Sequence, residues 1–272
     1  MQLNTPGKLN QLGKKITPVL GRLAANRRAT RLLELSCAYF NCLLGKGAGT
    51  GWDKGEEIAA ARLIKRKDPV MLDIGANRGA WTTEVRRLTG GQGRWLLVEP
   101  APECCVQLRK LAEVEVIEAA VGERSGTATL YSPGDQNGLA SLHERHDSLA
   151  RGQHFIGREV RVTTIDEILD ERGIEWVDVA KMDLEGHELF ALRGAAQSLK
   201  HRRLGALTFE FGTGNVNSRT FFRDFWDLLT GYGYRIERIY PGGKTLPVKE
   251  YYEDLEYFRS VTNYVALAPE EF

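Results

Sequence analysis

The sequence predicts a doubly wound α/β domain, a mostly parallel sheet covered by helices on both faces, preceded by a helical segment. Three observations predict it. From residue 69 onward, short apolar runs alternate with segments of helical period. Those runs are continuously apolar, as strands buried on both faces are, and lack the alternation of half-exposed strands. The composition supports a large core, with 42% hydrophobic and 27% charged residues in a 272-residue chain.

The chain opens on basic sequence. Lys8, Lys14, Lys15, Arg22, Arg27, Arg28 and Arg31 precede the first acid, Glu34. Leu20, Leu23, Leu32, Leu33 and Leu35 have loosely helical spacing, so residues 17–44 predict one or two amphipathic helices. Residues 8–44 admit peripheral contact with an anionic membrane or a cap over a substrate cleft. They also admit an extension packed on the core with its basic face in water, the reading favoured by the clustering of the apolar residues. The most apolar stretch, Leu32 to Leu44, contains Glu34, Ser36 and Asn41 and falls short of the ~20 apolar residues a membrane span needs. No secretory-signal pattern opens the chain. A soluble, cytoplasmic protein is expected. Gly45 to Gly51 (GKGAGTG) lacks phosphate-loop spacing and reads as a hinge. Residues 1–50 are therefore expected to form an extension and 51–272 the main domain.

Within the main domain, Asp53 to Arg66 reads as a helix. Pro69–Ile74 is the first strand, Trp81–Leu88 a helix, Arg94–Val98 the second strand and Pro102–Leu111 a helix. Val114–Val121 is the third strand. Gly126–Tyr131 and Glu159–Thr163 are short strands outside the alternation. Between them lies a polar insertion, Ser132–Phe155, of the kind that closes over a substrate. Thr164 and Glu167 have capping-box spacing and open a helix running to Glu171. Val177–Met182 is the next strand and His187–Leu199 the next helix. Strands Leu204–Phe211, Tyr234–Tyr240 and Asn263–Ala268 complete the sheet, with helix Thr220–Gly231 between the first two.

Some classes are excluded early. A net charge of +1 disfavours a general nucleic-acid binder. Cys37, Cys42 and the adjacent Cys104–Cys105 match neither a zinc spacing nor a disulfide framework, so reduced thiols are expected. His143, His146 and His154 have no convincing carboxylate partner, and no metal is expected.

Ligands of such sheets bind beyond the carboxyl ends of the strands. Asp73-Ile-Gly75-Ala76-Asn77-Arg-Gly79 follows the first strand, Glu99-Pro100 the second, Asp183-Leu-Glu185-Gly186 the fourth, and Glu210 closes the fifth. Gly75 and Gly79 suit a tight strand-to-helix turn that a ligand can approach closely. Their spacing is not that of a dinucleotide loop, which weakens a nicotinamide reading. A carboxylate at Asp73 would repel a pyrophosphate and attract the ammonium and sulfonium of S-adenosylmethionine. Glu99 is placed to accept the ribose hydroxyls of an adenosine.

These motifs, with Thr164-Ile-Asp166, Lys181-Met-Asp183-Leu-Glu185-Gly186, Glu188 and Leu192-x-Gly194-Ala195, resemble the FkbM family of S-adenosylmethionine-dependent methyltransferases across residues 70–211. The resemblance implies a Rossmann-like class I methyltransferase fold, with a seven-stranded sheet whose last strand is antiparallel. It implies O-methylation of a sugar, glycan or polyketide-type hydroxyl. By the same resemblance, Asp73, Gly75, Ala76, Asn77 and Gly79 hold the methionine end, Glu99 the ribose, and Glu118 to Val121, with Ala120 and Val121, the adenine. Asp183 faces the methyl donor, and Ser141 lies near the cofactor.

Methyl transfer needs alignment above all, and a hydroxyl acceptor gains from a base. Candidate bases are Asp183, Glu185, Glu210, His187 and the three insertion histidines, with Lys181 steadying a developing oxyanion. His187 departs from the small residue usual in the family and reads equally as a surface histidine. A lipid or polyketide-type acceptor, a noncatalytic cofactor-binding scaffold, and assembly with further copies of the chain stay open.

Overall fold

The computed structural model describes residues 7–47, 54–134, 137–147, 150–258 and 260–269. Two helices come first, α1 (Gly7–Ala24) and α2 (Arg27–Leu43), the second capped by the Asn26 side chain on the Ala29 N–H at 3.0 Å. Helix α3 (Gly55–Leu63) and strand β1 (Val70–Ile74) follow, then α4 (Ala80–Thr89), β2 (Arg94–Val98) and α5 (Pro102–Leu108). Proline at the first position of α5 costs no hydrogen bond there. Next come β3 (Val114–Ile117), β4 (Ala120–Val121), β5 (Gly126–Ser132) and β6 (Ile156–Thr163). They lead to α6 (Ile165–Glu171), whose capping box joins Thr164 and Glu167 as its spacing predicts, and β7 (Val177–Met182). The chain ends with α7 (Glu188–Arg193), α8 (Ala196–Lys200), β8 (Leu204–Gly212), α9 (Thr213–Ser218), α10 (Phe222–Gly231), β9 (Arg235–Ile239), β10 (Thr245–Pro247) and β11 (Val261–Leu267).

The main sheet runs β10-β9-β11-β8-β7-β1-β2-β3. Strands β1, β2, β3, β7 and β8 pair in parallel, while β11 lies antiparallel between β8 and β9. This is the expected class I arrangement with an eighth strand, the short β10, added at the β9 edge. One apolar cluster takes Leu72, Ile74, Met182 and Phe209 from one face, and a second takes Met71, Val179, Ala206 and Trp81 from the other. Alternate residues of one strand enter opposite clusters because successive side chains point to opposite faces.

Four expectations change. The run Val114–Val121 is two strands, because the chain leaves the main sheet after Ile117 and β4 pairs with β6 in a separate three-stranded sheet, β4-β6-β5. The helix expected over His187–Leu199 breaks at Gly194. A Cβ there would lie 2.1 Å from the Gly122 carbonyl oxygen, so the close crossing of these two segments requires glycine. The hinge is fixed where it is described: Gly45 has φ +71° and lies against the Ile239 carbonyl, and Lys46 Nζ donates to the Asp254 carbonyl at 2.5 Å. Residues 48–51 of that hinge, and Asp53 of the following helix, lie outside the described residues. Finally, the apolar residues of α1 and α2 are not packed on the core. Leu20, Leu23, Leu32, Leu33 and Leu35 are all more than half exposed, and α2 has no buried residue.

Candidate active site

The register across β1, β7 and β8 builds the site. Asp73 lies opposite Lys181, and Lys181 opposite Thr208. Two residues further on, one pleat period along the same face, stand Gly75, Asp183 and Glu210. One polar row and then a second thus cross three strand tips, above the apolar cluster of that face. Lys181 is buried. Its ammonium lies 3.1 Å from Asp183 Oδ2 and 3.7 Å from Asp73 Oδ1. Burial opposes its charge, yet the carboxylates of Asp183, Asp73, Glu56 and Glu210 hold the ammonium above the ordinary lysine range.

Among the described residues, Asp73 lines neither of the two cavities at these strand tips. It is fully buried, accepts a 2.6 Å bond from Thr82 Oγ1, and is pushed up by burial against the pull of Lys181. Beside Thr82, its charged neighbour is the Lys181 ammonium. Gly79 also turns away: with φ +79° it caps α4, and a Cβ there would meet Leu111 and Leu108. Gly75 sits where the chains cross most closely. Its φ is +78°, and an added Cβ would lie 1.9 Å from the Asp183 carbonyl oxygen.

Glu99, at the tip of β2, is 5% exposed. Its Oε2 accepts the Asn77 N–H at 2.8 Å and its Oε1 the Ala101 N–H at 2.9 Å. Burial pushes this carboxyl up to about 7, against the lowering effect of those two donors. The left-handed turn at Asn77 (φ +47°) aims its N–H at the carboxylate.

A cleft of about 590 Å³ opens over these tips. Gly75, Asn77 and Glu99 form one side, and Ala119, Ala120, Val121, Leu130 and Leu142 an apolar slot. Asp183, Glu185 and His187 close the other end. Glu118, expected beside the slot, turns away and bonds to Arg109 at 2.7 Å. Among the described lining residues the charged ones are Glu99, Asp183 and Glu185, with no lysine or arginine. Such a donor set accepts hydroxyl and ammonium hydrogens and repels phosphate.

The insertion after β5 covers the cleft through Gly138, Ala140, Ser141 and Leu142. Ser141 is buried. It pairs through its backbone with Tyr131, and its hydroxyl donates to the Glu185 carbonyl at 3.0 Å. Sequence reasoning missed the residue that holds this loop, Arg145. Its side chain is fully covered and bonds Asp147 Oδ2 at 2.8 Å and Glu185 Oε2 at 2.5 Å. Asn217 of α9 donates in turn to Asp147 at 2.7 Å. Arg145 was illegible because its partners come from β7's far end and its own loop, at no periodic spacing.

His187 belongs to the cleft and not to the surface. Its Nδ1 lies 2.9 Å from His143 Nε2, its ring stacks on Phe190, and burial with the neighbouring His143 pushes it down to about 3. It is therefore neutral near pH 7. His146 and His154 are exposed and do not join His143. Glu185 is pushed up to about 8 by burial and the Asp183 charge, against the pull of Arg145.

A second cavity of about 1060 Å³ adjoins the first, sharing Gly75, Asn77, Gly138 and Asp183. Glu56 and Glu57 of α3, Ala76, Arg78, Trp81 and Lys181 complete its wall. Glu56 was also missed, because its helix reads in sequence as an ordinary acidic N-terminus. Its Oε1 accepts a 2.8 Å bond from Thr208 Oγ1, and burial pushes it up to about 7 while Lys181 opposes. Glu210 borders neither cavity directly. Burial and the charges of Asp183, Glu56 and Glu185 hold it well above the carboxylate range. It does not cap α9, whose first turn is closed by Asn215 Oδ1 on the Gly212 N–H.

A model of the methyltransferase FkbM domain matches residues 73–236. Among curated proteins, the 2-O-methyltransferase NoeI of Sinorhizobium fredii (strain NBRC 101917 / NGR234) is 24% identical over 155 residues, covering 52% of this chain and 63% of that protein. The chain thus spans less than two thirds of that relative's length. Among solved structures, the methyltransferase FkbM from Methylobacillus flagellatus KT aligns with a TM-score of 0.47 and 18% identity, over 75% of this chain and 45% of that one. The precorrin-6y C5,15-methyltransferase from Geobacter metallireducens GS-15 aligns with a TM-score of 0.41 and 16% identity, over 78% and 87%.

Proposed function

The chain belongs to the methyltransferase FkbM domain family, and from that premise we propose that it methylates a hydroxyl oxygen of a sugar-like acceptor. S-adenosylmethionine, the cofactor of the family, supplies an electrophilic methyl carbon on a cationic sulfur. The observation that carries its placement is the charge of the first cleft, whose three charged lining residues are all carboxylates. Glu99 would take the ribose hydroxyls on oxygens already oriented by two backbone donors. Ala119 to Val121, with Leu130 and Leu142, would take the adenine. Gly75, Ala76, Asn77 and Asp183 would hold the methionine end, where the two cavities meet. Asp73 acts through Lys181, which fixes the Asp183 carboxylate.

The second cavity is the proposed acceptor site. Glu56, Glu57 and Arg78 offer several polar groups to a polyhydroxylated molecule beside the Trp81 ring. Glu56 is the proposed base, its Oε2 taking the hydroxyl proton while Thr208 holds Oε1. A base with a pKa near 7 is suited to neutral pH. Glu185 is tied to Arg145 and Asp183 to Lys181, so neither is as free as Glu56 to take a proton. Oxygen as the acceptor atom is supported by the relative named a 2-O-methyltransferase. The proposed catalytic unit lies within residues 51–272.

Isothermal titration with S-adenosylmethionine, S-adenosylhomocysteine, NAD and NADP tests the placement. Binding of the first two with the others inert is expected, and the opposite preference overturns it. Transfer of labelled methyl into glycans and not into their permethylated forms is the expected acceptor result.

A further inference from the structure

Helices α1 and α2 carry an apolar stripe that the rest of the molecule leaves uncovered. Ile16, Leu20 and Leu23 on α1, and Leu32, Leu35 and Tyr39 on α2, recur at spacings of three and four and so share one face of each helix. They are 41% to 66% exposed. A helix on a soluble core turns such a stripe inward; here it faces out. The flanking charge is of one sign, with Lys14, Lys15, Arg22, Arg27, Arg28 and Arg31 and no acid before Glu34. The chain just after α2 is joined to the main domain, with Gly45 against the Ile239 carbonyl and Lys46 bonded to the Asp254 carbonyl.

Two occupants fit an apolar stripe, and the charge separates them. A second copy of the hairpin would bring seven basic residues against seven, with Glu34 as the one acid of either helix. An anionic lipid surface neutralises all of them and accepts the apolar side chains at the acyl boundary. We propose that α1 and α2 lie in the plane of an anionic membrane surface and hold the protein there peripherally. No described helix is long and apolar enough to cross a membrane, so the attachment is interfacial. This docking stands independently of the catalytic reading.

Sedimentation of the full chain with vesicles of phosphatidylcholine, alone or mixed with phosphatidylglycerol, tests the proposal. Binding to the mixed vesicles only, reversed by salt, is expected. Arg27→Glu/Arg28→Glu/Arg31→Glu lowers that partition by roughly a hundredfold. Leu32→Ser/Tyr39→Ser lowers it by roughly tenfold or more, with thermal unfolding and S-adenosylhomocysteine binding unchanged in both variants. Absence of binding, equal binding to both vesicles, or salt-insensitive binding overturns the proposal without recourse to any variant. So does a concentration-dependent dimer in analytical ultracentrifugation that Leu32→Ser/Tyr39→Ser dissolves.

Discussion

Glu99 is buried and Glu56 half-buried, and both carboxyls are raised to about 7, yet the proposed chemistry asks different things of them. Glu99 must accept hydrogens from a ligand while keeping the Asn77 and Ala101 N–H groups satisfied. Hydrogen bonds to a charged group contribute about 1.5–3 kcal/mol each, so Glu99→Ala is expected to weaken S-adenosylhomocysteine binding by roughly tenfold or more in calorimetry. Unchanged affinity would remove Glu99 from the ribose. Glu56 must be ionised to take a proton, so kcat/KM is expected to rise with pH through about 7. Glu56→Gln is expected to lower kcat by ~10²–10⁴-fold, to abolish that rise, and to leave cofactor affinity unchanged. Glu99 was legible in the sequence because an acid directly after the second strand has a stereotyped neighbour. Glu56 was not, because only its contact with Thr208, 152 positions away, brings it to the site.

At the scale of elements, the cleft is covered by a loop whose buried cation is Arg145. Arg145 joins Asp147 and Glu185, and Asp147 is also bonded by Asn217 of α9. Arg145→Met is expected to leave the nearly covered Asp147 carboxylate, and Glu185, without their counter-charge and to destabilise the protein by about 3–5 kcal/mol, read as a lower denaturation midpoint. A change under about 0.5 kcal/mol would show that the loop is held elsewhere. The sequence located this insertion but not its clamp. It likewise located the residues of α7 and α8 but not their break, since Gly194 is required by the passing Gly122 carbonyl and by nothing local. The departure of β4 from the main sheet has the same origin: Ala120 and Val121 are apolar enough for either sheet, and β6 decides.

At the scale of the molecule, one end of the sheet gathers acids whose protons report on folding. Glu56, Glu99 and Glu188 are raised to about 7 and Glu185 to about 8, from an ordinary value of 4.5. Between those values the folded chain binds more protons than the unfolded one, so stability falls as pH rises through that window. The ligand-free protein is expected to melt at lower temperature at pH 8 than at pH 5.5. S-adenosylmethionine, placed as proposed beside Glu99 and Glu185, is expected to raise the melting temperature more at the higher pH. A melting temperature that climbs steadily from pH 5.5 to 8 would show that these acids are ionised without penalty.

Local pattern sufficed for the parallel sheet and for the acids that follow its strands. Continuous apolar runs and acids directly after them are properties of neighbouring residues. Tertiary structure alone decided that Asp73 faces Lys181, that Glu56 lines the second cavity, and that the apolar stripe of α1 and α2 faces outward. Each of these depends on strand register or on which element covers which face, and such non-local pairings leave no periodic trace in the chain.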